Sequence, residues 1–483
     1  MKAMKLLFAA SECAPFFKSG GLGDVIGALP KELAKKGHKV GVVLPYFKQL
    51  IPERYKKKVK DLAQFEVEMN WRKQYVGVKY LKQDGVNYYF IDNEFYFDRE
   101  GLYGYGDDAE RFAYFQLAAI EMLEVIDYIP DIFHVNDWQT AVIPVLLKDK
   151  YAWKERLRNI KTVLTIHNLM FQGTYDQYVL GDLFGIGYAA FHEYGLKDEN
   201  DEVNYLKGGI YYSDLLTTVS PTYAQEIQRP EFGMGLDEDI RRVNYKLVGL
   251  LNGIDYDNYD PEKDKTIPAT FTKKDLSGKM ENKLKLQEQV GLPVDEDIAL
   301  IGVVTRLDEQ KGIQLILDSL HELMNFRNVQ IVLLGTGKSY YEDAFRYFTS
   351  RYPNKFKGII DFDIDLAQLI YAGADMFLMP SGFEPCGLSQ MNSMRYGTLP
   401  IVHETGGLAD TVKAYNHVTV EGTGFSFYDF NAGTLLSIID QALIVYYDFP
   451  KQWEQLVTQA MSEDNSWEQA AEAYVEQYEH LLE

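Results

Sequence analysis

The sequence predicts an α/β protein with two doubly wound domains and a site between them. Three observations support this prediction. At 483 residues, the chain exceeds the length at which a single hydrophobic core usually stops growing. Short apolar runs rich in β-branched and aromatic residues alternate with segments of helical period, which is typical of parallel sheets. The alternation starts again after Asn252, so each half of the chain is expected to form its own domain.

The expected strands are short apolar runs in both halves. In the first half they are residues 5–11, 40–44, 132–136, 163–167 and 215–219. In the second half they are residues 298–305, 329–334, 358–361, 375–379 and 399–403. The apolar residues 6–10 imitate a signal peptide because Lys5 precedes them, but this apolar run is too short and ends at Glu12. A buried strand is the better interpretation.

The predicted domains span residues 1–252 and 253–462, and a last helix follows over residues 463–483. A polar run, residues 255–274, carries Pro261 and Pro268 and is expected to be the linker, because few buried contacts could cross it. Ser466 and Gln469 have the spacing of a capping box, which marks the start of the last helix. The residues leave open whether this helix packs on the nearer domain or on the first, and we predict the first.

The composition excludes several classes of partner. A net charge of -22 and a pI near 4.9 would repel a polyphosphate backbone and an anionic membrane, so neither nucleic acid nor a membrane is expected as a partner. No apolar stretch approaches the ~18 residues of a membrane span. With only Cys13 and Cys386, the chain has no disulfide framework and fits a reducing compartment, which predicts the cytoplasm.

Several polar side chains follow predicted strands, where ligands of open α/β sheets bind. These positions are Lys18, Asp137 and His167 in the first half and residues 305–312 and 380–388 in the second. Two glycine-rich turns also open predicted helices, and their candidate ligand-binding residues are Gly20, Gly21 and Asp24 in one turn and Thr405, Gly406 and Gly407 in the other. Glycine lets the backbone approach a ligand, and N–H groups at a helix start favour an anion. Each turn alone is explained equally well as a plain tight turn.

An ordered set of segments carries a resemblance to a known family. The segments are residues 18–22, 134–138, 165–173, 206–210, 218–223, 251–255, 305–312, 383–388 and 396–410. They are similar to the bacterial glycogen synthases and plant starch synthases, retaining glycosyltransferases with two Rossmann-like domains facing a central cleft, the GT-B architecture. The resemblance implies transfer of glucose from ADP-glucose to the non-reducing end of an α-1,4-glucan such as glycogen. It implies no cofactor.

The resemblance assigns roles in the second half of the chain. Arg306 and Lys311 correspond to a pair that clamps the diphosphate, which is electrostatic stabilisation of the leaving group. Glu384 corresponds to a carboxylate against the donor sugar, where it would stabilise developing oxocarbenium charge. The backbone N–H groups of Gly387 and Leu388 would face the phosphates. Surface cations and a loop carboxylate are the alternative explanations for the same residues.

Further roles follow for the first half. His167 corresponds to a residue beside the bond that breaks, where it would orient the sugar rather than take a proton. Asp137 would hold donor or acceptor hydroxyls, and a purely structural hydrogen-bonding role is equally compatible with its position. Lys18 corresponds to a cation that contacts the nucleotide sugar and completes the site on domain closure. The matched segments add Asn252 and Cys386 to the substrate-binding residues.

The sequence offers no second carboxylate that can be placed as a nucleophile. This favours a front-face reaction in which the leaving phosphate helps to deprotonate the acceptor hydroxyl. It offers no metal-ligand cluster either, because His134 with Asp137 three residues later is too common a pair to count. Activity is therefore expected to survive a chelator.

The chain departs from the common family pattern at two positions. Gly382 and His403 stand where an arginine is frequent, and Ser19 replaces the usual threonine. The two missing cations leave the preferred donor and the turnover rate open. Residues 335–339 imitate the tail of a phosphate-binding P-loop, but Val332 occupies the position of its first glycine, so a strand-to-helix turn is predicted. Possible sugar-stacking aromatic residues, none of them assigned, are Tyr103, Tyr105, Trp138 and Tyr175.

Three alternatives remain at the level of sequence. The nearest keeps the architecture and uses UDP-glucose or another acceptor. A nicotinamide-dependent oxidoreductase fits the doubly wound pattern but not the glycine spacing, because the Gly20 turn lacks G-x-G-x-x-G. A glucan-binding scaffold without activity is suggested by the missing arginines, but the candidate catalytic residues are intact.

Overall fold

The computed structural model describes residues 3–483 and divides the chain into two compact units. Unit 1 comprises the chain up to Asn252 together with Trp467–Glu483, and unit 2 comprises Gly253–Ser466. Each unit contains a sheet with helices between its strands, as the alternation of apolar runs and helical segments predicts. Within residues 3–483, no helix combines the length and the apolar composition needed to cross a membrane.

The sheet of unit 1 draws its strands from the whole segment before Asn252. Its strands are β1 (Lys5–Ala9), β2 (Lys39–Pro45), β3 (Lys60–Met69), β4 (Arg72–Gln83), β5 (Val86–Asp92), β6 (Ile132–Asn136), β7 (Lys161–Ile166), and, after a separate two-stranded ladder of β8 (Thr174–Tyr175) and β9 (Val203–Asn204), β10 (Leu215–Thr218) and β11 (Leu247–Gly249). Over the described residues the order is β11-β10-β7-β6-β1-β2-β5-β4-β3. The pairings are parallel from β11 to β5. This brings the carboxyl ends of β1, β6 and β7 to one edge of the sheet.

The helices of unit 1 follow or separate these strands. They are α1 (Gly21–Lys35), α2 (Glu53–Lys56), α3 (Glu94–Phe97), α4 (Asp108–Val125), α5 (Ile143–Lys148), α6 (Tyr205–Tyr212), α7 (Pro221–Glu226) and α8 (Asp237–Arg242). The central strands β1 and β6 are buried almost throughout, which explains why they are continuous apolar runs rather than alternating ones.

The edge formed by β3, β4 and β5 was absent from the predicted strands. These strands pair in antiparallel fashion, so the prediction of a parallel sheet is wrong for this edge. The signals were present in the sequence. Along residues 62–69 of β3, exposed side chains alternate with more buried ones, as they do in a strand that is covered on one face only. Asp84 and Gly85 turn the chain between β4 and β5 with φ of 52° and 80°, the left-handed backbone that Asp-Gly hairpins favour.

Unit 2 contains a second, entirely parallel sheet. Its strands are β12 (Ala299–Val304), β13 (Val329–Leu334), β14 (Phe356–Ile359), β15 (Met376–Met379), β16 (Leu399–His403) and β17 (Phe425–Phe427). Over the described residues the order is β14-β13-β12-β15-β16-β17. Its helices are α9 (Ser277–Val290), α10 (Ile313–Phe326), α11 (Ser339–Arg351), α12 (Ile364–Gly373), α13 (Ser389–Arg395), α14 (Gly406–Thr411), α15 (Ala432–Asp448) and α16 (Pro450–Ala460). Residues of α9, β12, β13 and α12 form one of its hydrophobic clusters.

The polar run over residues 255–274 is not the linker that the sequence predicted. It belongs to unit 2 and packs against it. Ile267 and Phe271 are only 6% and 4% exposed. Asp264 accepts a hydrogen bond from the Tyr396 hydroxyl at 2.6 Å, and Arg395 pairs with Asp260 at 3.1 Å. The polar side chains that suggested a solvated linker are therefore hydrogen-bonding partners of α13 and the residue after it.

The last helix, α17 (Trp467–Leu482), belongs to unit 1. It packs along α1, and Lys36 at the end of α1 pairs with Glu472 at 3.1 Å. Tyr478 is fully buried, and its hydroxyl hydrogen-bonds to His134 Nδ1 of β6 at 2.6 Å. The helix begins directly after Ser466, where the capping box predicted its start, and four residues into the predicted segment 463–483.

Candidate functional site

In unit 1, the residues from Lys18 to Asp24 form the end of the loop after β1 and the first turn of α1. The Lys18 ammonium donates to the Asp24 carboxylate at 2.6 Å, and the two side chains are 48% and 34% exposed. An exposed pair of this kind contributes at most about 1 kcal/mol, so Lys18 can exchange Asp24 for an anionic ligand at little cost. A Cβ built on Gly20 or Gly21 meets nothing within 4 Å. The structure thus groups four predicted substrate-binding residues beside open space.

Glu12 is a residue of this turn that the sequence interpretation missed. The residue is 4% exposed, and its carboxylate accepts hydrogen bonds from the Ser19 N–H at 2.5 Å, the Gly20 N–H at 3.1 Å and the hydroxyls of Ser19 and Tyr103, both at 2.7 Å. These bonds fix the glycine turn. They also occupy the Gly20 N–H, so the expectation of free N–H groups does not hold for it. The available signal was a carboxylate directly after a buried strand.

Asp137 and His167 meet at the ends of β6 and β7. The His167 N–H donates to Asp137 Oδ1 at 2.7 Å. Asn136, another residue that the sequence interpretation missed, donates from Nδ2 to the Ala9 carbonyl at 3.1 Å, which directs its Oδ1 to His167 Nε2 at 2.9 Å. An amide oxygen only accepts, so Nε2 carries the hydrogen and Nδ1 keeps a lone pair. The imidazole therefore offers one acceptor to a ligand hydroxyl.

Burial shifts the pKa values of both groups. It lowers the pKa of His167 to about 3, so the ring is neutral at physiological pH. It raises the pKa of Asp137 to about 7, although N–H bonds from His167 and Asn168 act in the opposite direction. A neutral imidazole suits orientation of a sugar rather than proton transfer. Asp137 can instead change charge near neutral pH.

Replacing Asp137 with asparagine is expected to change how stability depends on pH. The raised pKa stabilises the folded state fully below about pH 4, the unfolded value, and this contribution is lost as the pH rises through about 7. Asp137→Asn removes the titration, so its unfolding free energy relative to the native chain should rise between those pH values by up to about 4 kcal/mol. Thermal unfolding of both proteins from pH 4 to pH 8 measures this difference.

The raised pKa of Asp137 is tested by how the stability difference varies with pH, and not by the size of that difference at one pH. Asp137 has a left-handed backbone with φ of 54°, a conformation that asparagine also tolerates, so a constant gain at every pH would reflect the backbone alone. A melting-temperature difference that does not vary between pH 4 and pH 8 would contradict the raised pKa. Asp214→Asn is the matched control, because the pKa of this carboxyl is lowered by bonds to Lys148 and Thr162 that outweigh its burial.

In unit 2, Arg306 and Lys311 lie on the turn between β12 and α10. The Asp308 carboxylate accepts the Lys311 N–H at 3.2 Å and caps this turn. Arg306 is 64% exposed, with Asp308 at 3.5 Å, whereas the Lys311 side chain pairs with Glu384. The two predicted diphosphate ligands therefore share a turn but have different partners.

Glycines allow this turn to pack closely on its neighbours. A Cβ on Gly312 would lie 1.9 Å from the Pro380 carbonyl oxygen, and one on Gly335 would lie 1.9 Å from the Thr305 carbonyl oxygen. A Cβ on Gly337 would lie 2.3 Å from the Leu307 carbonyl oxygen. The segment that imitates a P-loop is thus a strand-to-helix turn between β13 and α11 that supports the Arg306 turn.

Glu384 and Lys311 form a shielded ion pair at the ends of β12 and β15. Lys311 Nζ lies 2.6 Å from Glu384 Oε2, and the two side chains are only 15% and 8% exposed. The Ser381 hydroxyl donates to the same carboxylate oxygen at 3.1 Å. Because little water screens the pair, its charges interact strongly and neither can be lost without leaving the other unpaired. Two predicted catalytic residues are in direct contact here.

The glycine turn at Gly406 and Gly407 is packed against backbone, whereas the turn at Gly20 and Gly21 faces open space. The Gly407 N–H donates to the Glu384 carbonyl at 3.1 Å, so it is not free for an anion. A Cβ on Gly406 would lie 2.0 Å from the Glu384 carbonyl oxygen, and one on Gly407 would lie 2.1 Å from the Cys386 carbonyl oxygen. These glycines let the turn that follows Thr405 press against the backbone of the Glu384 loop. The turn and the loop form one packed unit.

Gly406→Ala is expected to destabilise unit 2 by about 2 kcal/mol or more, because the new methyl group collides with backbone and Gly406 has a left-handed φ of 45°. Gly21→Ala is the matched control: Gly21 begins α1 with open space around its Cβ position, so its melting temperature should stay the same or rise slightly. Thermal melts of both variants test this. Equal melting temperatures for the two variants would show that the close backbone approach at Gly406 does not affect stability.

The remaining predicted residues lie near these elements. Gly387 has φ of 73° and Leu388 directly precedes α13. Cys386 is 5% exposed. Asn252 ends the first segment of unit 1, and its buried side-chain oxygen has no hydrogen-bond partner within residues 3–483. Across the same residues, no three or more His, Cys, Asp or Glu side chains are arranged to hold a metal ion.

The possible sugar-stacking residues are largely engaged with other protein groups. Trp138 is 8% exposed and contacts the rings of Phe112 and Tyr175. The Tyr103 hydroxyl hydrogen-bonds to Ser11 and Glu12, and the Tyr105 hydroxyl accepts the Gly101 N–H. These contacts account for the aromatic residues as packing and loop-fixing groups.

Comparison with protein families matches both units. Residues 5–242 match the family described as the starch synthase catalytic domain, and residues 285–460 match the one described as glycosyl transferases group 1. The catalytic domain of starch synthase IV from Arabidopsis thaliana, solved with ADP and acarbose, superimposes with a TM-score of 0.92 at 34% identity, with 100% of both chains covered. Sucrose-phosphate synthase from Thermosynechococcus elongatus, at 16% identity and a TM-score of 0.60, shares the fold. The family matches and the shared fold identify the chain as a glycosyltransferase with the GT-B fold.

Curated relatives identify the family to which the chain belongs within this class of glycosyltransferases. Glycogen synthases of Lactococcus lactis and Streptococcus sanguinis are each 55% identical to this chain, and that of Ligilactobacillus salivarius is 54% identical. Each comparison covers 99% of this chain and 100% of the relative. The chain belongs to the glycogen synthase family.

Proposed function

We propose that this protein elongates an α-1,4-glucan by transferring glucose from ADP-glucose to its non-reducing end with retention of configuration. The observation that carries the proposal is the shielded pair of Glu384 and Lys311 at the strand ends of unit 2. A carboxylate and an ammonium at one point suit a reaction that creates positive charge on the sugar and negative charge on the departing diphosphate. ADP as the leaving group is supported by the starch synthase IV domain, which was solved with ADP.

The roles in unit 2 follow from charge. Glu384 stabilises the oxocarbenium character of the donor ring. Lys311 and Arg306 neutralise the diphosphate, and the exposed Arg306 can turn to a ligand with little loss, since the carboxylate that it contacts, Asp308, lies 3.5 Å away. Lys311 already touches Glu384, so one ammonium group can link the carboxylate and the phosphate. The Ser381 hydroxyl holds the Glu384 carboxylate in place.

In unit 1, His167 and Asp137 bind hydroxyl groups. The lone pair on His167 Nδ1 accepts a hydrogen bond from a sugar hydroxyl, because Nε2–H is committed to Asn136. Asp137 accepts from another hydroxyl when ionised. Lys18, Gly20 and Gly21 form the open turn that contacts the nucleotide sugar.

The chemical step is a front-face substitution. The bond from the anomeric carbon to the phosphate oxygen breaks, and its electron pair leaves with ADP. The acceptor hydroxyl oxygen bonds to the anomeric carbon on the same face, and its proton passes to the departing phosphate oxygen. No enzyme carboxylate becomes covalently attached. We place this activity in the cytoplasm, which fits a chain whose two cysteines form no disulfide within residues 3–483 and an intracellular nucleotide sugar.

The test is incorporation of labelled glucose into glycogen by the purified protein, with ADP-glucose and UDP-glucose compared and a chelator present or absent. Incorporation from ADP-glucose, undiminished by chelator and with an α-anomeric product by NMR, is the expected result. Preference for UDP-glucose would overturn the donor assignment. A folded protein that binds glycogen but transfers glucose from neither donor would establish the scaffold alternative instead.

A further inference from the structure

The Gln390 side chain is a fully buried amide that joins three segments around Glu384. It belongs to α13, and its Nε2 lies 3.1 Å from the Cys386 carbonyl oxygen, 3.0 Å from the Gly387 carbonyl oxygen and 3.0 Å from Thr411 Oγ1. A carbonyl oxygen only accepts hydrogen bonds, so the amide nitrogen, and not the amide oxygen, must face these groups. Gln390 therefore serves the loop after Glu384 as a hydrogen-bond donor.

Thr411 extends these contacts to the glycine turn at Gly407. Its hydroxyl donates to the Gly407 carbonyl oxygen at 2.6 Å, so the hydroxyl oxygen is left to accept from Gln390. Thr411 is the last residue of α14, whereas Gln390 lies in α13. One chain of hydrogen bonds thus connects the loop after Glu384 with the turn at Gly407.

The oxygen of the Gln390 amide is less well placed than the nitrogen. It is buried and has no hydrogen-bond partner within residues 3–483, and a Cβ on Gly387 would lie only 2.6 Å from it. A buried polar atom without a partner costs stability, and an apolar side chain of the same shape would avoid that cost. Packing alone therefore does not explain a glutamine at this position. What the position requires is the pair of N–H donors, and the absence of a side chain on Gly387 leaves room for them.

The two carbonyl contacts fix the direction of two N–H groups. In a trans peptide unit the C=O and N–H bonds point in opposite directions within a rigid plane. The Cys386 carbonyl shares its peptide unit with the Gly387 N–H, and the Gly387 carbonyl shares its unit with the Leu388 N–H. Because Gln390 holds both carbonyl oxygens, both N–H groups point away from its amide. Gly387 has a left-handed φ of 73° and Leu388 a right-handed backbone, an alternation that turns successive N–H groups toward one anion.

We propose that Gln390 is a positioning residue for the diphosphate of the donor. It holds the peptide units on either side of Gly387 so that the N–H groups of Gly387 and Leu388 face the diphosphate. Gln390 itself is fully buried and acts only through these units. Through Thr411 it also keeps the turn at Gly407 in place against the same loop. The inference rests on the proposed function, because it requires a nucleotide diphosphate at this loop.

The first experiment measures the binding of ADP to the full-length protein by calorimetry, with no catalytic step involved. Gln390→Met keeps the length of the side chain but has no donor, and Gln390→Glu keeps its shape but turns an acceptor toward two carbonyl oxygens. The Kd for ADP is expected to rise by about tenfold in Gln390→Met and by about 100-fold in Gln390→Glu, because the N–H groups no longer face the charged phosphates. Thr411→Val removes the contact with Gly407 but leaves both carbonyl contacts, so its effect should be smaller.

Gln287→Met is the matched control for the loss of a buried glutamine. Gln287 is fully buried in α9, and its Nε2 donates to the Asp295 carbonyl oxygen at 2.9 Å, before the start of β12. Arg306 follows the other end of that strand. Gln287→Met should therefore lower the melting temperature without changing the Kd for ADP. If the Gln390 variants lower the melting temperature but bind ADP with native affinity, this glutamine is merely structural and the positioning role is wrong.

Steady-state kinetics test the same role during transfer. Gln390→Met should raise KM for ADP-glucose and lower kcat, because the N–H contacts also stabilise the departing diphosphate. KM for glycogen should stay at the native value, since the acceptor does not contact these N–H groups. A parallel rise in both KM values would indicate general distortion of the site and would overturn the proposal.

The outcomes separate this inference from the proposed function. A native protein that neither binds ADP nor transfers glucose from ADP-glucose would contradict the proposed function, and this role with it. Native binding of ADP that is unchanged in the Gln390 variants would contradict the positioning role alone. If Gln390→Glu does not fold, Gln390→Met and Thr411→Val supply the comparison.

Discussion

Glu384→Gln is expected to lower kcat for glucose transfer by about 10³-fold, equivalent to about 4 kcal/mol of transition-state stabilisation. Glutamine preserves the size of the side chain and the contact with Ser381. It removes the negative charge that stabilises the oxocarbenium ion. The substitution should affect kcat more than KM, because the positive charge that the Glu384 carboxylate stabilises develops on the sugar only in the transition state. Initial rates of glucose incorporation from ADP-glucose measure both constants.

Two controls accompany this prediction. Ser381→Ala removes the hydroxyl that donates to Glu384 at 3.1 Å but leaves the carboxylate and its pairing with Lys311, so its loss of kcat should be much smaller. Melting temperatures of all proteins establish that they are folded. A kcat for folded Glu384→Gln within about tenfold of the native value would remove Glu384 from the mechanism.

Lys311→Met is expected to lower kcat/KM by about 10²- to 10³-fold and also to destabilise the protein. Methionine retains much of the length of the side chain, but the diphosphate loses a cation and the Glu384 carboxylate, 8% exposed, is left without its partner at 2.6 Å. Removing one member of a shielded pair commonly costs about 3–5 kcal/mol of stability. Steady-state kinetics and thermal unfolding measure the two effects separately.

The double variant Lys311→Met/Glu384→Gln should be more stable than Lys311→Met alone, because it leaves no unpaired charge. Its activity should be no better than that of the worse single variant. Lys338→Met is the matched control: Lys338 pairs with Glu309 on the surface, with side chains 59% and 64% exposed, and its loss should change neither quantity appreciably. Additive stability effects in the double variant would contradict direct coupling between Lys311 and Glu384.

The central strands were predictable because burial on both faces makes them short continuous apolar runs. Three predicted runs, residues 132–136, 329–334 and 399–403, agree with β6, β13 and β16 at both ends. The antiparallel edge was missed because a half-covered strand carries a weaker signal of period two. The linker prediction failed for a related reason: the polar side chains of residues 255–274 bond to protein groups such as Tyr396, and sequence cannot distinguish such bonds from solvation.

For the site, the sequence supplied the residue types and the strand ends on which they lie, and with them the family to which the chain belongs. The roles of Glu384, Lys311, His167 and Asp137 stay predictions until the variants are measured. Glu12 and Asn136 were missed because their importance lies in hydrogen bonds to backbone and side chains that are distant in sequence. Nothing in the order of residues marks those partners.

By itself, the sequence determined the α/β class, the positions of most parallel strands and the polar residues that follow them, because hydrophobic period and turn chemistry are local properties. Only the tertiary structure decided the protonation and pairing of those residues. The lone pair on His167 and the contact between Lys311 and Glu384 both depend on which strand ends become neighbours. Burial and hydrogen-bond direction, which set the charge of each group, exist only after that packing has formed.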